Sequence, residues 1–340
     1  MYKEYIKRFR NIYTYKDIKR YIDGIKDKRV LVIGEAIIDD YQFGKSLGKA
    51  GKEPIIAFNV TNEEKYLGGA LAVANHVSNF TNNVDLIAML GDKRTQRTFI
   101  RHNLNNTIEP MFIYKKDSPT ISKKRFIDIE SGEKVFELYD FKDSQLNNEQ
   151  SNNLIDVLEQ LINKYDIVIV CDFGHGFITE EIRNVLYESS FLSVNTQNNA
   201  GNQGMNTINK YHYPSYICID EKEIRLAAGD RYGNLEEIIK DMFLINVCNV
   251  NITKGEKGSI TYDCTTEEFF YTPAFAENIV DKIGAGDAVL SITSLVANEC
   301  PAEIIGFIGN CVGALAVRYS GNKESIKKKE LLKFIEEILK

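Results

Sequence analysis

A chain of 340 residues with 44% hydrophobic and 26% charged side chains has the make-up of a globular protein, long enough to bury one large α/β core. A net charge of −6 offers no global field for nucleic acid or an anionic membrane, so any anionic ligand must be held by local groups. No run approaches the roughly 20 apolar residues that cross a bilayer, and residues 1–10 lack the apolar stretch of an export signal, which predicts a cytoplasmic protein without membrane partners. The six cysteines are scattered, without a C-x-x-C pair and several within apolar runs; the pattern predicts buried free thiols rather than disulfides or a metal site.

In chain order, residues 1–28 read as a charged, Tyr- and Lys-rich helical extension, and 29–340 as one domain. Arg29–Gly34 is a continuous apolar run ending in glycine, as in a strand buried on both faces of a parallel sheet. Similar runs recur at Leu86–Leu90, Ile167–Cys171, Leu192–Val194, Tyr216–Ile219 and Ile245–Ile252. Helical patterns lie between them at Asn152–Lys164, Glu180–Glu188 and Leu235–Phe243. That alternation predicts βαβ units with helices on both faces of the sheet. Two inserts, at about 41–67 and 111–141, instead alternate apolar with polar residues, as in Phe126-Ile127-Asp128-Ile129-Glu130. They predict a small separate sheet, placed to act as a substrate lid and exposing an apolar face suited to a homodimer. The Asn-rich stretch Asn195–Asn209 reads as a long functional loop.

The strongest chemical signal is Asp281-Lys282-Ile283-Gly284-Ala285-Gly286-Asp287, followed by an apolar helical run from Ala288. Glycines allow close backbone approach, and the helix start aims unpaired N–H groups at a ligand, a fit for a phosphoryl group in transfer. Asp287, in the first turn, is placed to accept the proton of an attacking hydroxyl, although the helix dipole favours its ionised form and weakens it as a base. Alone, Gly284-Ala285-Gly286-Asp287 is better read as a Gly-rich helix cap with Asp as a dipole partner. Other segments accompany it. Thr253-Lys254-Gly255-Glu256-Lys257-Gly258 follows a buried strand, where a nucleotide can lie against backbone. Gly34-Glu35 and Asp39-Asp40 follow the first strand, and Gly68-Gly69-Ala70 opens a helix that also carries Asn75.

Together these segments resemble the ribokinase/PfkB family of carbohydrate kinases over about Val30–Ser320. The resemblance implies a ribokinase-like three-layer α/β/α core with a mostly parallel sheet plus a small β-sheet lid. It implies ATP and Mg²⁺ as cofactors, Asp287 as catalytic base, and Gly284, Ala285 and Gly286 as an anion hole. Thr253, Gly255, Gly258, Asn195, Asp220 and Glu223 would meet the nucleotide, with Asp220 and Glu223 organising the metal. Asp39, Gly68, Gly69, Asn75 and Arg125 would meet the sugar.

Within the family the chain most resembles the kinase domain of ADP-heptose synthesis enzymes. The matching pieces are Val32–Tyr41 with Gly44, Glu53-Pro54, Pro119-Thr120-Ile121-x-Lys123-x-Arg125 and Asp172–Gly176. That implies a heptose 7-phosphate-like acceptor, phosphorylation at the anomeric hydroxyl, a pathway toward nucleotide sugars or surface polysaccharide, and work beside a nucleotidyltransferase. Lys45, Lys49, Lys52, Lys123, Lys124 and Arg125 are candidates to neutralise a substrate phosphate, Arg125 foremost. The sequence departs from the family at Asp220, at Lys282-Ile283, and at Asn195-Thr196-Gln197, where the heptose group carries Asp-Pro-Lys. The last implies a substrate that differs from that group's, and the changes at Asp220 and Lys282-Ile283 keep open a carbohydrate or nucleotide sensor on the same fold. A dinucleotide oxidoreductase, suggested by the glycine after the first strand, lacks the G-x-G-x-x-G fingerprint.

Overall fold

The computed structural model describes residues 2–243 and 249–340. Residues 245–248 of the expected strand Ile245–Ile252, Cys248 among them, lie outside the described residues. The strands, in chain order, are β1 (Val30–Lys49), β2 (Ile56–Gly69), β3 (Val84–Lys93), β4 (Ile108–Pro119), β5 (Ile121–Asp128) and β6 (Lys134–Asp140). They continue with β7 (Ile167–Asp172), β8 (Leu192–Thr196), β9 (Tyr216–Asp220), β10 (Asn249–Thr253), β11 (Ser259–Asp263) and β12 (Glu268–Thr272).

The main sheet runs in the order β12-β11-β10-β9-β8-β7-β1-β3-β4. Every neighbour from β10 to β4 is parallel, and β11 and β12 close one edge antiparallel. Among its central strands β7 is a fully buried run rich in Val and Ile, and β10 is buried over its middle three residues, because helices cover both faces. One helical layer holds Ala70–Val77, Ala285–Val296, Ala302–Ala316 and Lys328–Ile338. The other holds Asn148–Leu161, Glu180–Leu186, Glu221–Ala228 and Leu235–Met242. The three-layer α/β/α architecture with a mostly parallel sheet is thus present.

β1 belongs to two sheets. Val30–Glu35 pair with β3 and β7 in the core, whereas from Ala36 onward the strand pairs antiparallel with β2 and, from Ile37, parallel with β5. With β6 added on β5, this makes a four-stranded sheet in the order β2-β1-β5-β6, standing out from the core. Residues 111–119, which the sequence reading grouped with the second insert, differ: they pair with β3 as the edge of the main sheet. An edge strand has one wet side, so its alternation looks like that of a lid strand.

Residues Tyr2–Ile12 and Tyr15–Gly24 form two helices, the second opened by a Thr14–Asp17 capping box. Phe9 of the first stacks on Phe307 at 4.2 Å. Among the described residues no helix is long and apolar enough to cross a membrane. Cys171, Cys218, Cys300 and Cys311 are buried thiols.

Candidate active site

The carboxyl ends of β7 to β10 open under the small sheet into a cavity of about 630 Å³. In open α/β sheets this is where ligand groups gather, because loops leaving the strand ends are free to carry them. Thr253 at the end of β10, Asp220 at the end of β9, Gln197 after β8 and Phe173 after β7 all line it. From the small sheet come Asp39, Lys123, Arg125 and Tyr139, and from the helix start come Gly284 to Asp287.

Gly284 caps the helix Ala285–Val296 in the left-handed region, φ 80°, where a side chain would also collide with Asn322. Ala285, Gly286 and Asp287 are therefore the first three helical residues; Ala285 N–H donates to the Lys282 carbonyl at 3.4 Å, and the N–H groups of Gly286 and Asp287 have no partner among the described residues. Asp287 keeps some exposed surface because it lines an open cleft, yet it lies deep among protein atoms. Burial pushes its carboxyl up to about 7; Asp39 adds to the rise and Lys123 opposes it. This reverses the expectation that the dipole would weaken the base, because desolvation here outweighs the dipole.

On the substrate side, Arg125 donates from Nη1 to Asp39 Oδ1 at 2.5 Å and from Nε to Glu137 Oε1 at 2.9 Å. Its charge is spent on carboxylates, so it does not present a free cation. Gly68 does not line the cleft; a Cβ there would stand 2.5 Å from Asp39 Oδ2, so this glycine makes room for Asp39. Gly69, φ 60°, does line it. Asn75 lies elsewhere: Nδ2 donates to the Asn103 carbonyl, Oδ1 accepts from Asn105 N–H, and the side chain faces a separate cavity of about 190 Å³. Its helix turns it toward the 103–105 loop, which a sequence cannot reveal.

Among the six basic candidates the structure separates one. Lys45 pairs with Glu130 at the tip of the small sheet, Lys124 pairs with Asp40 on its outer face, and Lys49 and Lys52 are exposed. Lys123 is 5% exposed and lines the cavity, and among the described residues its ammonium has no hydrogen bond or ion pair. Its Nζ sits 5.5 Å from the Tyr139 ring centroid and 5.6 Å from that of Phe173. Burial pushes its ammonium below the ordinary lysine range, with Asp39 and Asp287 opposing.

On the nucleotide side, Thr253, Gly255 and Gly258 line the cavity in a tight turn closed by Lys254 N–H to the Gly258 carbonyl at 2.7 Å. Gly258 has φ 87°, and a side chain there would strike the Thr272 carbonyl. Asp220 and Glu223 form a capping box: Asp220 Oδ1 accepts from Glu223 N–H and Glu223 Oε2 from Asp220 N–H, both at 2.8 Å. Glu223 Oε1 accepts from Asn198 N–H, so both its oxygens are taken, and it does not line the cavity. Burial and the adjacent Asp220 raise its carboxyl. Among the described residues no cluster of three metal-ligating side chains occurs. Asp220 fits a magnesium ion held mainly by phosphates and water, and Glu223 supports it from behind. Asn195 also misses the cavity, donating to the Cys218 carbonyl. Gln197, Asn198 and Asn199 reach over the strand end in its place, and the buried side-chain N and O of Asn198 have no partner among the described residues.

Two residues within the quoted runs take supporting roles that the sequence did not assign. Glu35, fully buried, accepts from Phe173 and His175 N–H at 3.0 Å and so shapes the loop that carries Phe173; burial and Asp172 raise its carboxyl. Asp281 accepts from Lys134 Nζ, Tyr41 Oη and Gly321 N–H, tying the small sheet to the glycine run. Burial works against its charge, but Lys134 and the backbone donors hold the carboxyl below its ordinary value. Only the charge of each residue and its place beside a motif hinted at either role.

The chain is similar to several known proteins. The "Bifunctional protein HldE" of Nitratiruptor sp. is 24% identical over 330 residues, covering 91% of this chain and 69% of that protein. That of Haemophilus influenzae is 24% identical over 302 residues, 88% of this chain; the chain spans only 62% of that relative's length. An Arabidopsis thaliana ribokinase, solved with ribose and ATP, superposes with a TM-score of 0.66 at 14% identity, covering 91% of this chain and 98% of the other. The model of the pfkB family of carbohydrate kinases matches residues 27–329, and the chain belongs to that family.

Proposed function

We propose that this kinase transfers the γ-phosphoryl group of ATP to a hydroxyl of a sugar or sugar phosphate, with Asp287 as general base. The observation that carries the reading is Asp287 itself: a carboxyl raised to about 7, directly beside the unpaired N–H groups of a helix start, inside a cleft that also holds the Thr253–Gly258 turn. The acceptor oxygen bonds to the γ-phosphorus as the bond to the β-phosphate oxygen breaks, and ADP leaves. The acceptor proton passes to the Asp287 carboxylate, late, as a loose transition state allows. Charge on the moving phosphoryl oxygens is met by the N–H groups of Gly286 and Asp287. Magnesium, when bound, neutralises phosphate charge, and Asp220 is the lining carboxylate suited to hold it.

For the acceptor we infer a phosphosugar of the heptose 7-phosphate kind, phosphorylated at the anomeric hydroxyl. Supporting this are the names of the relatives, the match at Pro119–Arg125, and Lys123, an unpaired buried ammonium lining the cleft. An ammonium buried this far lowers its free energy by meeting an anion. The word bifunctional in those names supports a role beside a nucleotidyltransferase, on the way to a nucleotide sugar.

The test is ADP release with ATP and Mg²⁺ against free sugars and sugar phosphates, with Asp287→Asn as control. Turnover on a phosphosugar, lost in Asp287→Asn, supports the reading. Lys123→Met should raise the acceptor KM at least tenfold for the phosphosugar alone. ATP binding without turnover on any acceptor would instead select the sensor reading, for which the departures at Asp220 and Lys282-Ile283 speak.

A further inference from the structure

Phe275 is 4% exposed and, with Ala274 and Ala276, forms one apolar wall of the cleft on the side of the Thr253–Gly258 turn. Helix Ala302–Ala316 also lines this side, presenting Gly309 and Gly313, four residues apart and so on one face. An apolar wall and a helix face without side chains bound a slot that suits a flat heteroaromatic base.

What stands behind this wall is the first helix of the chain. Tyr2 meets the Phe275 ring edge-on at 5.3 Å and 66°, and Tyr5 meets it at 6.1 Å. Phe9 stacks on Phe307, which in turn touches Phe275 at 5.5 Å. The Tyr5 hydroxyl lies 3.3 Å from Thr272 Oγ1, and the Thr272 carbonyl is the group packed against Gly258 of the turn. Arg8 adds a contact to Glu303 at the start of helix Ala302–Ala316, 3.1 Å. One short helix, Tyr2–Ile12, therefore braces the apolar wall, the strand end behind the turn and the glycine-bearing helix together.

We infer that this amino-terminal helix is a positioning element for the nucleotide base: Tyr2 and Tyr5 fix Phe275 and Thr272, and so set the width of the slot that receives the base of ATP. The inference rests on the kinase reading of the cleft. It separates the helix from a merely stabilising strap, because among the described residues no hydrogen bond, ion pair or ring contact joins it to the small sheet or Asp39.

The test compares Tyr2→Ala, Tyr2→Phe and Ile22→Val with the parent protein. Tyr2 is a partly exposed residue whose ring rests on Phe275, and Ile22 lies in the second helix, which packs against helix Lys328–Ile338. ATP affinity is measured by equilibrium titration without acceptor, alongside steady-state KM for ATP and for acceptor and the thermal midpoint. Tyr2→Ala should weaken ATP about three- to tenfold, the equivalent of one lost aromatic pair, leaving kcat and the acceptor KM unchanged. Tyr2→Phe should restore parental affinity, and Ile22→Val should lower the thermal midpoint without moving ATP affinity. Unchanged ATP affinity in Tyr2→Ala, with parent binding ATP normally, overturns the inference while leaving the kinase reading intact. A parent protein that binds no ATP overturns both. Equal losses in ATP and acceptor affinity show a general loosening and overturn the inference as well.

Discussion

At Asp287, the burial that raises the carboxyl to about 7 has two consequences that pull apart. A base must be deprotonated to act, so kcat/KM should climb with unit slope up to about pH 7 and level off above it. Asp287→Asn should cost about 10²–10⁴ in kcat, with ATP affinity retained. The fold feels the opposite. A raised folded-state value means that the native protein binds the proton more tightly than the unfolded chain does. The stabilising effect of that proton is complete below about 4 and is lost as pH rises through about 7. Asp287→Asn should therefore melt higher than the parent at pH 8, with the gap closing toward pH 4; a lower midpoint at pH 8 would refute the burial argument. Gly68 argues at the same scale. A methyl group 2.5 Å from Asp39 Oδ2 must displace that carboxylate and its bond to Arg125. Gly68→Ala should lower kcat/KM for the acceptor on the order of ten- to a hundredfold, with the ATP KM steady. The glycine run was legible because its chemistry sits on consecutive residues. Asn75, Asn195 and Glu223 were not, because each belongs to an element whose rotation against its neighbours decides whether a side chain meets the cleft or a backbone group.

Among the elements, the small sheet was legible from its alternating pattern, and its outermost limits less so, since β4 alternates for a different reason. How the sheet is anchored could not be read, because the anchor joins residues 41, 134 and 281, far apart in sequence. Asp281 bonds Tyr41 of β1 at 3.1 Å and Lys134 of β6 at 2.9 Å. The carboxylate thus spans the small sheet and the glycine run that precedes Asp287, so the position of one depends on the other. Asp281→Asn removes the charge that Lys134 pairs with, and should cost about 1–3 kcal/mol of stability at pH 7. Because its folded-state value lies below the ordinary one, that contribution is present above about pH 4 and fades as pH falls below it. Amide exchange should quicken in Lys134–Asp140 before it does in β7, whose six residues are all buried. Uniform quickening in both strands would show that Asp281 supports the core at large and does not anchor the sheet.

At the scale of the molecule, the small sheet has two unlike faces, fixed by strand register. Asp39, Lys123, Arg125 and Tyr139 face the cleft, and their neighbours along each strand point away from it. On that outer face Phe126 and Phe136 stack at 4.1 Å, with Phe58 edge-on to both, while Phe136, Leu138 and Val60 remain 41%, 50% and 43% exposed. Among the described residues β2 and β6 also leave unpaired edges at either side. An apolar face rimmed by the Lys124–Asp40 and Lys65–Glu63 pairs has the composition of an interface core with a polar rim. We propose that a second copy of the chain covers it about a two-fold axis, each copy offering the same patch. The parent protein should then sediment as a dimer at micromolar concentration, and Leu138→Glu, which places a charge at the centre of the patch, should sediment as a monomer. The cleft face of the same sheet carries Lys123 and Asp39, so releasing the partner should loosen the acceptor's ceiling without touching the nucleotide slot. In Leu138→Glu the acceptor KM should rise while ATP affinity holds; a parent that sediments as a monomer removes the two-fold partner from the account.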